Sequence, residues 1–227
     1  MFIDTHCHLD FAEFDSKRDN ILAKCQKLQI TNIINPATDF SNWQKLIELK
    51  SKYLNVSISF GLHPIFIDKH LDEHLNFLEK YTLENNCKLI GEIGLDKRIS
   101  NFDKQLCFFE RQIKIAKKLK KKVIIHSVRA HNEIIKILKD NKFSSGGIIH
   151  AFNGNTHIAN TYIKLGFKLG IGSIVSYPKS KLRDTLKDIH YTNIVLETDA
   201  PDMYKTPFDV ISTFDILCDI YNENPAI

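Results

Sequence analysis

The sequence predicts an α/β fold of the (β/α)8 TIM barrel type, formed as one domain over residues 1–227. Three observations carry this. Short apolar runs alternate with segments of helical period along the chain. The strand-then-helix unit recurs about eight times, at a spacing of roughly 20–35 residues. That alternation implies parallel strands joined by crossover helices, and eight units suit a closed barrel. Third, no GxGxxG follows the first strand, which weighs against a dinucleotide-binding sheet. There is no solenoid repeat and no linker rich in Gly, Pro or Ser.

The predicted strands are 2–6, 32–36, 56–60, 88–93, 123–126, 147–150, 167–171 and 194–197. Between them lie amphipathic stretches. Leu106, Phe109, Ile113 and Ala116 recur at helical spacing, with Phe102 a turn earlier; Ile134, Ile135, Ile137 and Leu138 mark another helix. Ser16 with Asp19 three residues on reads as the start of the first helix. Gly146-Gly147 reads as a tight turn before the sixth strand. Trp43 and the many phenylalanines are assigned to the core.

Composition bounds the class. The chain has 227 residues, 43% hydrophobic and 26% charged, which places it among globular proteins able to bury a core without staples. The net charge of +4 permits an anionic substrate without requiring one. Lys117, Lys118, Lys120, Lys121 and Lys122 read as a solvated helix end, where cations complement the helix dipole. Five cysteines without a CxxC exclude a disulfide framework and a zinc ribbon. Reduced thiols, no leader-like N-terminus and no long apolar run lead to the expectation of a cytoplasmic protein with no membrane partner.

Barrel enzymes gather reactive groups at the C-terminal ends of their strands. The ends here read His6-Cys7-His8, Gly61-Leu62-His63-Pro64, Gly91-Glu92-Ile93-Gly94, His126, His150 and Glu197-Thr198-Asp199. In a strand, residues i and i+2 share a face, so His6 and His8 can address one ion. Cys7 and Ser127 then point away from the site, which argues against either as a nucleophile. A carboxylate closing a buried strand, as Glu92 and Asp199 do, is costly unless paired or metal-bound. Imidazole with carboxylate suits Zn, Mn, Fe, Co or Ni, whereas Mg prefers oxygen. Six ligands exceed one tetrahedral zinc. Two ions sharing a carboxylate fit the count and imply hydrolysis by a hydroxide available near neutral pH. Asp96 and Asp202 read as loop hydrogen-bonders. Phe152 reads equally as a base-stacking ring or a rim-packing one.

These motifs resemble those of the TatD-related metal-dependent hydrolases. The matching stretches are Phe2–Asp10, Gly61–Pro64, Gly91–Asp96, Val123–Ser127, Ile149–Gly154 and Leu196–Pro201, in that family's order, over roughly residues 1–205. The resemblance implies a two-metal barrel. His6, His8 and Asp199 would hold one ion, His126 and His150 the second, with Glu92 bridging. The ions would be two divalent cations, among Zn, Mn, Mg, Ni and Co. Asp199 would orient or deprotonate the attacking water, and His63 would touch substrate phosphate. Because several members are deoxyribonucleases, DNA or a small phosphodiester is the expected substrate, with no obligate protein partner. The alternatives are hydrolysis of carboxylic amides, esters or lactones, and a metal-binding scaffold without turnover.

Two departures stand out. The family carries Arg two residues after the fifth-strand His, where this chain has Val128 and then Arg129. If the family's Arg holds a phosphate, either Arg129 substitutes for it from a shifted angle or the substrate preference differs. After the Asp-Ala-Pro motif the chain is short, with 206–222 reading as one helix or less. A shortened C-terminal helix layer is expected.

Overall fold

In the computed structural model, residues 1–222 are described. The strands are β1 (Phe2–Asp4), β2 (Ile30–Pro36), β3 (Val56–Ser59) and β4 (Leu89–Asp96), followed by β5 (Lys122–Val128), β6 (Gly147–Ile149), β7 (Phe167–Ile171) and β8 (Ile194–Leu196). The helices between them are α1 (Arg18–Lys27), α2 (Trp43–Lys52), α3 (Asp72–Glu84) and α4 (Phe102–Lys118). They continue with α5 (His131–Asp140), α6 (Thr156–Lys164), α7 (Lys181–Lys187) and α8 (Val210–Tyr221). The architecture is the expected α/β barrel of eight parallel strands.

The strand ladder runs in two parts, β1-β2-β3 and β4-β5-β6-β7-β8. Two seams close the ring. At one, Phe60 bridges Ile90, and the Gly91 and Glu92 amides donate to the Phe60 and Ala37 carbonyls at 2.8 and 2.9 Å. At the other, Cys7 bridges Ala200, and the Thr5 and His8 amides donate to Leu196 and Ala200 at 3.0 and 2.8 Å.

Several boundaries differ from expectation. β4 runs on to Asp96 and β5 to Val128, paired through Gly94 with His126 and Asp96 with Val128. β1 stops at Asp4, and His6 lies beyond it. Ser16 does not cap α1. The helix starts at Arg18 behind Lys17, which offers no side-chain cap. Arg18 instead donates to the Leu9 carbonyl at 2.7 Å and pairs with Asp15 at 2.6 Å, so this turn is organised by a cation rather than by a hydroxyl.

The core is a continuous cluster under the helix ring. Trp43 is fully buried against Phe40, Phe60 and Tyr81, with centroids 5.0–5.3 Å away. The buried face of α4 carries Phe109, Ile113 and Ala116 as expected, together with two glutamines, Gln105 and Gln112. Lys117 and Lys118 end that helix, donating to the Asn141 carbonyl and pairing with Glu79. The stretch 206–222, read as one helix or less, carries the single α-helix α8, with Phe214 edge-on to Phe2 at 5.1 Å and Leu217 buried. The final segment 224–227 lies outside the described residues. No described helix is long and apolar enough to cross a membrane.

Candidate metal centre

The donors gather at the C-terminal end of the barrel. His6 and His8 follow β1, His63 follows β3, Glu92 and His126 lie on β4 and β5, His150 follows β6 and Asp199 follows β8. Between His6 and His8, Cys7 turns the other way, fully buried with its Sγ on the Ala200 carbonyl.

Glu92 organises the site. Its Oε2 lies 3.1 Å from His6 Nε2 and 3.8 Å from His8 Nε2. Its Oε1 lies 3.1 Å from His126 Nδ1 and 3.3 Å from His63 Nε2. Asp199 splits in the same way, with Oδ1 3.4 Å from His8 and Oδ2 3.3 Å from His150. Gly61 allows the β3 loop to approach Glu92, because a Cβ there would lie 2.5 Å from the Glu92 carbonyl oxygen.

Three groups of donor atoms are close enough to hold a cation: His6, His150 and Asp199; His6, His8 and Glu92; and His63, Glu92 and His126. All six expected ligands are therefore brought together. The grouping differs from the implied one in that His150 stacks on His6 at 3.5 Å, while His63 rather than His150 stands beside His126, at 4.4 Å. His63 Nδ1 accepts the Ile65 amide, so the neutral ring carries its proton on Nε2 and donates toward Glu92.

Burial alone would neutralise the buried carboxylates, yet the imidazoles win. His63, His6 and His150 hold Glu92 well below the usual carboxylate range, and His150 and His8 do the same for Asp199. Burial opposes a proton on His8, but Asp199 and Glu92 push its pKa up to about 9. His63, dominated by burial, is lowered to about 4. Buried anionic carboxylates facing imidazole nitrogens are the donor chemistry of a borderline divalent cation. The residues fit the metal ions the sequence implies.

A supporting layer escaped sequence reading. Asp96 is the last residue of β4, fully buried, 3.1 Å from His126 Nε2 and bonded to Arg98 at 2.6–3.2 Å. It is a strand residue orienting a candidate ligand, not a loop hydrogen-bonder. Glu197 Oε1 stands 3.1 Å from His150 Nδ1 and accepts the Ala151 amide at 2.6 Å. Gly170 makes room for it, since a Cβ there would meet Glu197 Oε2 at 2.1 Å. Gln105 binds the Asp96 amide and carbonyl, and Gln112 binds those of Leu62 beside His63. Polar residues on a helix's buried stripe are the signal that could have found these two.

The centre opens into a cavity of about 770 Å³. Arg98, Arg129, His131 and Asp202 line it, with Phe11, Ile65, Phe66, Ile174 and Met203. Arg129 is exposed and takes a left-handed φ of 57°. Ser127, expected to point away from the site, lines the cavity wall instead, with its hydroxyl 2.9 Å from His131 Nδ1. Phe152 is buried against Tyr162 and His131, which leaves the packing role and removes the stacking one.

An eight-stranded barrel with a buried imidazole–carboxylate centre at its C-terminal mouth defines the metal-dependent hydrolase class. Within that class the chain belongs to the TatD-related DNase family, whose model matches residues 3–215. It is 33% identical to the uncharacterized metal-dependent hydrolase YjjV of Escherichia coli K12, covering 98% of this chain and 91% of that protein. An uncharacterized metal-dependent hydrolase of Haemophilus influenzae is 31% identical over 98% of this chain and 92% of its own. The crystal structure of YjjV superposes with a TM-score of 0.92 at 32% identity, covering 98% of this chain and 91% of that one. A TatD-family hydrolase from Entamoeba histolytica shares the fold at a TM-score of 0.88 and 19% identity, with 98% and 92% covered.

Proposed function

We propose that this chain hydrolyses phosphodiester bonds of DNA with two divalent ions. The observation that carries the reading is the Glu92 carboxylate, whose two oxygens each address a separate imidazole pair. A carboxylate shared in that way suits a bridge between two cations. His6, His8 and Asp199 would hold one ion and His126 and His150 the other, as the family motifs imply, and the donor set leaves room for His150 to share the first. When bound, the ions supply charge neutralisation at the phosphate and a nucleophile at neutral pH.

The chain's own residues do the rest. Asp199 is the more open of the two carboxylates, with 13% of its side chain exposed against 3% for Glu92. It would take the proton of the attacking water as the new O–P bond forms and return it to the leaving alkoxide oxygen as the ester P–O bond breaks. His63 lies at the mouth with its Nε2–H directed at Glu92, a donor that a substrate oxygen would share, and Arg129 offers a guanidinium to the phosphate backbone. The cavity falls within the ~300–1,000 Å³ usual for small-ligand sites, enough for a terminal nucleotide unit rather than a long duplex.

The test is Mn²⁺- or Mg²⁺-dependent cleavage of end-labelled single-stranded DNA, with Glu92→Ala alongside. Cleavage by the native protein and none by the variant supports the reading. Absence of cleavage by a native protein that holds two ions overturns it in favour of carboxyl ester or amide hydrolysis, which chromogenic esters would then reveal.

A further inference from the structure

The wall of the cavity built by the loops after β4 and β5 carries a second polar device that the metal centre does not use. His131, the first residue of α5, belongs to none of the donor groups yet lines the same cavity. Its Nδ1 is held from two sides, by Ser127 Oγ at 2.9 Å and by Tyr162 Oη at 3.1 Å. Tyr162 is fully buried among Phe152 and Phe167. A phenol in such surroundings donates its proton to an acceptor, and both the ring nitrogen and Ser127 Oγ are within reach. With Nδ1 accepting, the neutral imidazole carries its hydrogen on Nε2. Burial lowers the His131 pKa, which keeps the ring neutral. Among the described residues no protein group bonds to Nε2, so that N–H is left for whatever enters the cavity.

Arg129, two residues earlier, lines the same cavity. The neighbouring cations are committed, Arg98 to Asp96 and Lys97 to Glu133. Arg129 makes no ion pair among the described residues. A guanidinium without an ion pair and a neutral imidazole N–H lining one cavity are groups suited to an oxyanion.

We propose that Arg129 and His131 form a subsite for a second phosphate of the substrate, adjacent to the phosphate being cleaved. Ser127 and Tyr162 are positioning residues that hold the His131 tautomer. The proposal rests on the phosphodiester reading above and narrows it to substrates that carry a phosphate on each side of one nucleoside.

Two measurements test it. The first is calorimetric binding of thymidine 3′,5′-bisphosphate and of thymidine 5′-phosphate to the Mn²⁺-loaded protein. The second is the kcat/KM ratio for p-nitrophenyl esters of thymidine 5′-phosphate with and without a 3′-phosphate. The native protein should favour the bisphosphate about tenfold in both, the worth of one good charge-assisted contact. His131→Ala, His131→Gln and Arg129→Gln should each shrink that ratio at least about threefold, chiefly through KM. Tyr162→Phe should shrink it less and Ser127→Ala least. A merely structural His131 would lower the melting temperature of His131→Ala and leave the ratio of the folded fraction intact, which overturns the subsite. Equal binding of the two nucleotides by the native protein also overturns it. Failure of the native protein to hydrolyse either ester overturns the phosphodiester reading instead, and the binding ratio still decides the subsite.

Discussion

Thr198 donates both its hydroxyl and its amide to the Asp4 carboxyl, at 2.5 and 3.0 Å, across 194 residues of sequence. The same carboxyl accepts the His6 amide at 3.2 Å. One buried side chain thus sews β1 to the strand end that carries Asp199, and it sets the backbone of the first candidate ligand. Burial raises the Asp4 pKa to about 8. Asp4→Ala strands three buried donors, and the expected loss is about 2–4 kcal/mol. Asp4→Asn keeps an acceptor and should lose less. Denaturant melts of the two variants check this, and equal stabilities would contradict the account.

The Glu197–His150 contact predicts a different phenotype. Carboxylates behind a metal-binding imidazole fix its orientation, and their removal commonly costs about 10–100-fold in metal affinity. Glu197→Gln preserves an oxygen for the Ala151 amide but withdraws the charge facing His150 Nδ1. Metal competition against a fluorescent chelator should show that loss with little change in melting temperature. Gly170→Ala should mimic it, because its methyl group would occupy the place of Glu197 Oε2. Unchanged affinity in both variants would rule the role out.

Metal uptake should release protons. With its pKa pushed up to about 9, His8 is protonated at pH 7 in protein stripped by a chelator. A metal ligand must be unprotonated, so each imidazole that binds gives up its proton and affinity falls as the pH is lowered. Titration with Mn²⁺ at pH 7 in buffers of different ionisation enthalpy should return a positive proton count. A binding heat independent of buffer would refute this.

The thiols should separate cleanly. Cys107 is exposed, whereas Cys7, Cys25 and Cys87 are buried. Burial pushes Cys25 up to about 12 and Cys87 to about 11. Since the thiolate is the reactive form, maleimide at pH 7 should modify Cys107 within minutes and spare those three until denaturant is added. Peptide mapping after a short pulse gives the answer.

The barrel and its donors were legible because both follow local rules. Strand–helix alternation repeats in the sequence itself, and barrels gather reactive groups at strand ends, so the convergence of the candidate donors His6, His8, Glu92, His126, His150 and Asp199 is readable from the sequence. What orients them was not legible. Asp96 faces His126 because β4 and β5 run two to three residues past their apolar stretches, a matter of pairing between strands rather than of either sequence. Tyr162 meets His131 from 31 residues away on the next helix. Ser16 failed as a cap because Arg18 organises the same turn through tertiary contacts.

The two seams of the barrel have a bearing on how the centre could be taken apart. His6, His8 and His63 belong to the portion ahead of the β3–β4 seam, whereas Glu92, His126, His150 and Asp199 belong to the portion after it. Cutting the chain near Asn86 would divide the donors of the first candidate ion, leaving His6 and His8 on one fragment and Glu92 and Asp199 on the other. The cation would then act as a cross-link between polypeptides, turning fragment complementation into a metal-gated event.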